Sequence, residues 1–72
     1  MKRFDFDMHD RLVEEIYRIS DNDAELSRKI GASSNVVKTW TNKPIMPVAW
    51  YLARLYREGA DVIYILTGER TR

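Results

Sequence analysis

The sequence predicts an all-α domain, a compact bundle of about five short helices. Apolar side chains recur at intervals of three and four residues, and no stretch shows the alternation of a β-strand. Glycines at positions 31, 59 and 68 each end one of the predicted helices. With 72 residues, 44% of them hydrophobic, the chain can form one core, near the lower size limit for independent folding. We therefore expect residues 1–72 to form a single domain, stabilised by packing alone because there is no cysteine.

The first helix is predicted over residues 7–20. Its apolar side chains form a stripe at helical spacing, namely Leu12, Val13, Ile16, Tyr17 and Ile19. Charged side chains fall outside that stripe, namely Asp10, Arg11, Glu14, Glu15 and Arg18. We expect His9, the only histidine, to be an ordinary exposed side chain near the helix start.

Two short helices follow. Asn22 with Glu25 three residues later resembles a capping box, and it predicts a second helix that runs to about Ile30. Gly31 ends this helix, because a residue without Cβ is favoured where φ must be positive. Ser33 is the predicted N-cap of a third helix, which covers position 34 to about position 41.

The last two helices have clear boundary signals. Pro47 fits the first turn of a fourth helix, which Gly59 ends. The apolar side chains of that helix are Val48, Tyr51, Leu52, Leu55 and Tyr56. Asp61 is the predicted cap of a fifth helix over positions 62–66, and Gly68 closes it. We assign the aromatic residues at helical spacing to the core rather than to stacking on single-stranded bases, namely Trp40, Trp50, Tyr51 and Tyr56.

The second and third helices have the spacing of a helix-turn-helix over about residues 22–42. Four apolar side chains are placed to lock the two helices together, namely Leu26, Ile30, Val37 and Trp40. Ser27 lies at the predicted crossing, where a small side chain lets the backbones approach, and Ala32 tucks inward behind Gly31. The alternative is a helical hairpin that uses the same packing and does not contact DNA.

Charge is strongly segregated along the chain. Between positions 26 and 57 there is no acidic residue and there are six basic ones, namely Arg28, Lys29, Lys38, Lys43, Arg54 and Arg57. The acids lie before and after this stretch, although the net charge of the chain is only +1. A basic helix-turn-helix is a common way for a small protein to grip DNA. For Arg28, Lys29, Arg54 and Arg57, surface solubility is the favoured interpretation, beside long-range attraction.

Residues 23–42, together with the segment Gly-Ala-Asp-Val-Ile-Tyr-Ile-Leu-Thr-Gly-Glu-Arg at 59–70, resemble the DNA-binding domain of temperate-phage repressors of the lambda-repressor/Cro class. The likeness is greatest to the bacteriophage CI repressor helix-turn-helix domain. The resemblance implies operator binding as a homodimer and transcriptional repression in a bacterial host. The chain departs from the pattern at Asp23, where relatives often carry a glutamine that clasps a phosphate. Either Asp23 caps the helix or this clasp is missing.

The exposed face of the third helix supplies the candidate DNA contacts. Base-reading candidates are Ser34, Asn35, Lys38 and Thr39, because amide, ammonium and hydroxyl groups hydrogen-bond to base edges. Phosphate-binding candidates are Ser33, Asn42 and Lys43, which flank the helix. The base-reading set is alternatively a solvated helix face, and Ser33 is alternatively only a cap. Val36 either contacts a thymine methyl or packs on a neighbour.

The fifth helix carries a run of apolar residues at 62–66 and is too short to bury every side. We expect dimerisation through this helix, with Ile63 and Tyr64 at the contact, which also agrees with the resemblance. A complete Cro-sized regulator is one alternative to a CI-type repressor domain. An antitoxin or anti-repressor module that binds an acidic protein is another.

Other classes of function are not expected. No phosphate-binding glycine loop, metal-ligand cluster or nucleophile-base pair can be assembled from these residues, so we expect no enzyme, no metal and no cofactor. No small-molecule ligand is evident. No apolar run approaches the roughly 20 residues of a membrane span, and no signal-peptide core follows the N-terminus, so we expect a cytoplasmic protein.

Overall fold

Five α-helices form the fold, which confirms the predicted all-α class. The computed structural model describes residues 3–70, and no β-strand occurs among them. The helices are α1 (Phe6–Ile19), α2 (Asp23–Lys29), α3 (Val36–Asn42), α4 (Ala49–Arg57) and α5 (Val62–Thr67). Helix α1 packs against α5 and α3, while α2 packs on α3 and α4 on α5. None of the helices in this part of the chain has the length and apolar character needed to cross a membrane.

One apolar core joins the helices. Its buried members are Leu12, Ile16, Leu26, Ile30, Val37, Trp40, Leu55, Ala60 and Ile65. The helix-locking residues and Ser27 are buried as predicted, and Ala32 is half-buried against the core. Two aromatic residues assigned to the core lie on the surface instead, because Trp50 is 54% exposed and Tyr56 is 68% exposed. Leu55 is the buried residue of α4. Trp50 and Tyr56 are exposed because a helix can bury only one of its faces against a single core.

The start of α3 differs from the prediction. The helix begins at Val36, two residues later than expected, and Ser33 is not its N-cap. Asn35 occupies the cap position without a side-chain cap bond. The missing bond comes from α2, since the amide of Val37 donates to Ser27 Oγ at 3.0 Å in the interior. A buried hydroxyl on a neighbouring helix therefore does the work of a local cap.

The prediction for Pro47 was also wrong. Helix α4 begins at Ala49 with Val48 as its N-cap, so Pro47 lies two residues before the helix, where it is buried. The other boundaries agree with the prediction to within a residue or so. Asp61 caps α5 by accepting from the amide of Tyr64 at 3.0 Å.

The prediction for Glu15 is corrected as well, since Glu15 is fully buried and not on the polar face of α1. Its carboxylate accepts hydrogen bonds from the Asp61 amide at 2.7 Å, from Arg18 Nη2 at 2.7 Å and from Arg70 Nη1 at 2.9 Å. The Arg18 hydrogen bond, helped by those from Asp61 and Arg70 and opposed by burial, lowers the Glu15 pKa from its ordinary 4.5 to about 2. The cluster ties α1 to the start of α5 and to the segment after it.

Candidate nucleic-acid interface

Helix α3 lies with one face in the core and the other in solvent. Val37 and Trp40 are buried. The exposed face carries four polar residues at intervals of three and four, namely Asn35, Lys38, Thr39 and Asn42. Helical geometry places these side chains in one row, so they are able to contact a single ligand surface together.

Two interior hydrogen bonds fix the orientation of this row. The first joins Ser27 Oγ to the Val37 amide near the helix start. The second joins His9 Nε2 to the carbonyl oxygen of Trp40 at 2.6 Å. A carbonyl only accepts, so His9 carries a proton on Nε2 and donates it.

The second bond has a clear cause in the sequence. The Trp40 carbonyl would ordinarily accept from the amide four residues later, but that residue is Pro44, which has no N–H. His9 supplies the missing donor from α1. The expectation that His9 is an exposed side chain was therefore wrong, since burying an unpaired carbonyl would cost free energy and the imidazole prevents it.

The candidate base-reading groups face solvent. Asn35, Ser34 and Lys38 make no side-chain hydrogen bond or ion pair within residues 3–70. Thr39 Oγ1 donates to the Asn35 carbonyl at 2.9 Å. With its proton used in that bond, the Thr39 oxygen is left as an acceptor, which suits the amino group of adenine or cytosine.

The candidate phosphate-binding groups lie at both ends of the row. Ser33 is exposed in the turn before α3, and its hydroxyl caps no helix in the described part of the chain. Asn42 is the last residue of α3, and Lys43 follows it in extended backbone. Lys43 forms no ion pair among the described residues, so its charge remains available to a phosphate.

Three of the acidic side chains are held in one cluster. Glu14, Glu15 and Asp61 cluster around Arg70 on the α1–α5 side of the molecule, with distances of 2.9–3.8 Å to its guanidinium nitrogens. Asp23 lies in the first turn of α2, but the cap of that helix is Asn22, which accepts from the Glu25 amide at 2.9 Å. The capping alternative for Asp23 is therefore wrong.

Arg54 has a structural role that the sequence did not indicate. Its Nη1 donates to the Ile30 carbonyl at 2.7 Å, and its guanidinium lies 4.5 Å from the Trp50 ring centroid. A Cβ on Gly31, whose φ is +81°, would collide with the same Nη1. Gly31 thus leaves room for the arginine that donates to the Ile30 carbonyl, in addition to adopting the left-handed backbone.

An apolar recess lies beside the polar row. It is open, has a volume of about 220 Å³ and is lined by Ser33, Asn35, Val36, Thr39, Trp40 and Ile45. Ile45 contributes from the loop after α3 and is itself exposed. Sequence reasoning missed Ile45, and the available signal was an isoleucine placed in a polar, proline-containing loop where no core position was expected.

The two candidate dimer residues differ in their surroundings. Ile63 is 51% exposed, and Leu66 on the same helix is also exposed. Tyr64 is half-buried, its hydroxyl donates to Glu14 Oε1 at 2.6 Å, and the Arg70 guanidinium carbon lies 3.7 Å from its ring centroid. The hydrogen bond to Glu14 raises the Tyr64 pKa. Ile63 and Leu66 are thus the large apolar side chains that α5 exposes to solvent.

Comparisons of the chain with protein-family models, with curated proteins and with solved structures gave no significant match.

Proposed function

We propose that the protein is a sequence-specific, double-stranded DNA-binding transcriptional repressor in which α2 and α3 act as a helix-turn-helix and α3 enters the major groove. The observation that carries the proposal is the row Asn35, Lys38, Thr39 and Asn42 on a helix held by two interior hydrogen bonds, with no acidic residue between positions 26 and 57.

The candidate residues divide into a base-reading group and a phosphate-binding group. An asparagine amide pairs with adenine N6 and N7, and a lysine pairs with guanine O6 and N7, so Asn35 and Lys38 supply base discrimination. Thr39 adds an acceptor. Contacts to phosphate fix the position of the protein on DNA without selecting a base sequence. Ser33, Asn42 and Lys43 make these contacts.

The proposal includes a homodimer on an operator with two half-sites. A dimer doubles the number of base contacts, and the exposed Ile63 and Leu66 provide an apolar contact for it. Repression follows from covering a promoter in the cytoplasm of a bacterial host, at the nucleoid, and it requires no catalysis. A CI-type prophage repressor is the form of this function that agrees with the sequence pattern.

Titration with random-sequence duplex DNA tests the first part of the proposal. The expected result is binding whose affinity falls steeply with NaCl concentration, because lysines and arginines displace counterions from phosphates. Lys43→Ala should weaken this binding, whereas Arg57→Ala, which removes an equal charge from the end of α4, should change it much less. Absence of salt-dependent binding by the folded protein would contradict the proposal and would favour a protein-interaction module.

Selection of bound sequences from a random duplex pool tests the second part. The expected result is a short, two-fold symmetric motif with an adenine in each half-site. Recovery of unenriched sequences, despite salt-dependent binding, would reduce the function to non-specific DNA binding.

A further inference from the structure

A cleft opens between the end of α1, the end of α4 and the start of α5, and its lining residues include none from α2 or α3. Its volume is about 670 Å³, within the roughly 300–1,000 Å³ of pockets that hold small molecules. We propose that this cleft binds a small organic oxyanion, a carboxylate or phosphate group carried on an apolar body. Such a site goes beyond the proposed DNA contact and does not depend on it. Its lining combines three arginines with three largely apolar side chains, namely Arg18, Arg57 and Arg70 with Tyr56, Val62 and Ile63.

Arg57 supplies a charge without a partner. It is the last residue of α4, it is exposed, and it makes no hydrogen bond or ion pair within residues 3–70. A guanidinium group presents its N–H donors in a planar fork that matches the two oxygens of a carboxylate or phosphate. An oxyanion is therefore the ligand chemistry that Arg57 favours.

Arg18 adds a second guanidinium group whose position is fixed. Its Nε and Nη2 donate to the buried Glu15 carboxylate at 3.0 Å and 2.7 Å, and Nη2 also donates to the Gly59 carbonyl at 2.7 Å. Its Nη1 takes part in none of the hydrogen bonds among residues 3–70, so the N–H groups on that nitrogen are left for another acceptor. Because Arg18 is already immobilised, a ligand bound there loses little affinity to the ordering of the side chain.

The carboxylates near the cleft are held by other groups. Asp61 is the one acidic residue among those that line the cleft. Its side chain is only 14% exposed, it accepts from the Tyr64 amide at 3.0 Å, and it lies 3.8 Å from Arg70 Nη1. Glu15 is fully buried against Arg18 and Arg70. An incoming anion therefore meets guanidinium groups at the surface of the cleft.

The apolar part of the lining favours an organic ligand. Tyr56 and Ile63 are both more than half exposed, although each is a large apolar side chain. An apolar body resting on them removes their surface from water, and an aromatic ring also stacks on a tyrosine ring. An inorganic anion would leave both side chains exposed. Charge and apolar surface together thus select an oxyanion attached to a ring or an alkyl group.

The test titrates the full chain, isotopically labelled for NMR, with phenyl phosphate and separately with phenylacetate. We expect the amide signals of Gly59 and Ile63 to shift and to saturate with a Kd on the order of 1 mM for at least one of the two anions. The tighter of the two identifies phosphate or carboxylate as the preferred group. Phenol and inorganic phosphate, which each carry one half of phenyl phosphate, should bind about tenfold more weakly than phenyl phosphate.

Variants at exposed positions separate the two contributions. Arg57→Ala should weaken binding of the preferred anion about tenfold. Arg28→Ala, which removes the same charge from an exposed position on α2, should preserve the Kd. Tyr56→Ala should weaken phenyl phosphate but not inorganic phosphate, because only the apolar contact is lost. The amide spectrum of each variant shows that it is folded.

Three results would overturn the proposal. One is anion binding that Arg57→Ala and Arg28→Ala weaken equally, since that would reflect the overall charge of the protein. Another is saturation at the amides of Asn42 and Lys43 without saturation at Gly59. The third is no binding of either anion. Each of them leaves the proposed DNA-binding function standing, because that function is tested with duplex DNA and depends on α3.

Discussion

Asn35 and Lys43 lie at opposite ends of α3 and carry different kinds of chemistry. Asn35 offers a neutral amide that makes no hydrogen bond within residues 3–70, and Lys43 offers a charge without an ion pair in that part of the chain. A neutral group contributes through the geometry of a base edge, whereas a charge contributes through counterion release. Under the proposed function, Asn35 therefore reads the base sequence and Lys43 binds phosphate.

Asn35→Ala should cost roughly 1–3 kcal/mol on the selected site and relax the preference at one base pair per half-site. Its effect on random duplex DNA should be small, because no counterion contact is lost. Competition binding with selected and random duplexes measures both quantities. An unchanged selected sequence with the Asn35→Ala variant would remove Asn35 from the reading set.

Lys43→Ala should weaken binding to selected and random DNA alike and lower the salt slope by about one per monomer. Titrations at several NaCl concentrations give the slope. An altered base preference with this variant would contradict its assignment to phosphate.

At the scale of the element, α3 depends on α2 for its start. Ser27→Ala leaves the amide of Val37 buried without an acceptor, which costs roughly 1–3 kcal/mol. The urea midpoint of unfolding should fall accordingly. Ser34→Ala, which removes the same hydroxyl from an exposed position, should leave stability nearly unchanged. Equal stability of the two variants would show that the Ser27 bond contributes nothing.

Under the proposed function, helix α5 is the contact for self-association. Ile63→Glu places a charge on the exposed apolar face and should shift sedimentation toward the monomer while the domain stays folded. Tyr64 is less suitable for this change, because a carboxylate there would lie beside Glu14. Val48→Glu is the matched control on an exposed residue before α4. An association state insensitive to Ile63→Glu would exclude α5 from the interface.

Local sequence signals predicted those features whose causes are local. Gly31, Gly59 and Gly68 all adopt positive φ and follow helix ends, and the Asp61 cap was placed correctly. The start of α3 was missed because its cap comes from Ser27, ten residues earlier and on another helix. The proline at position 44 implies an unpaired Trp40 carbonyl, but no local pattern names a donor 31 residues away.

In the candidate site, too, the features with local causes were predicted and those that depend on loops or distant residues were not. The helical period of α3 predicted that Asn35, Lys38 and Thr39 share an exposed face, and they do. Ser34, predicted on the same face, lies in the turn before α3, and Asn42, predicted as a flanking residue, belongs to the row.

The helical period of α3 does not predict the position of Ile45, because Ile45 lies in a loop. A loop has no repeating geometry from which the direction of a side chain follows. Nor does the helical period reveal that Arg54 donates to the Ile30 carbonyl at the end of α2.

At the scale of the whole molecule, the Glu15 cluster joins segments that are far apart in the sequence. The pKa of Glu15 is lowered from 4.5 to about 2, chiefly by the hydrogen bond from Arg18. The carboxyl group is therefore more acidic in the folded than in the unfolded chain. A carboxyl group whose pKa is lower in the folded chain adds to the free energy of unfolding when the pH is above its pKa in the unfolded chain. That contribution is lost as the pH falls through the pKa in the folded chain. The contribution is therefore present above about pH 4.5 and disappears toward pH 2.

This loss should amount to roughly 3 kcal/mol, since each pKa unit corresponds to about 1.36 kcal/mol. Urea unfolding between pH 7 and pH 2.5 measures it. Glu15→Gln should be less stable at neutral pH, with a flatter dependence below pH 5, because its side chain does not titrate. A variant with the full acid sensitivity of the original protein would assign the effect to other carboxyl groups.

The anchoring of α3 by Ser27 and His9 also bears on how the domain unfolds. A helix of seven residues is far too short to persist alone in water, so α3 exists only while α1 and α2 hold it. Its amide hydrogens should then exchange with deuterium at rates set by unfolding of the entire domain, although the helix lies at the surface. A ligand held by α3 would accordingly stabilise every helix at once. Under the proposed function, operator DNA at a hundred times its Kd should add about 2.7 kcal/mol to the free energy of unfolding, and the slowing of exchange should reach Leu12 in α1 as fully as Val37 in α3.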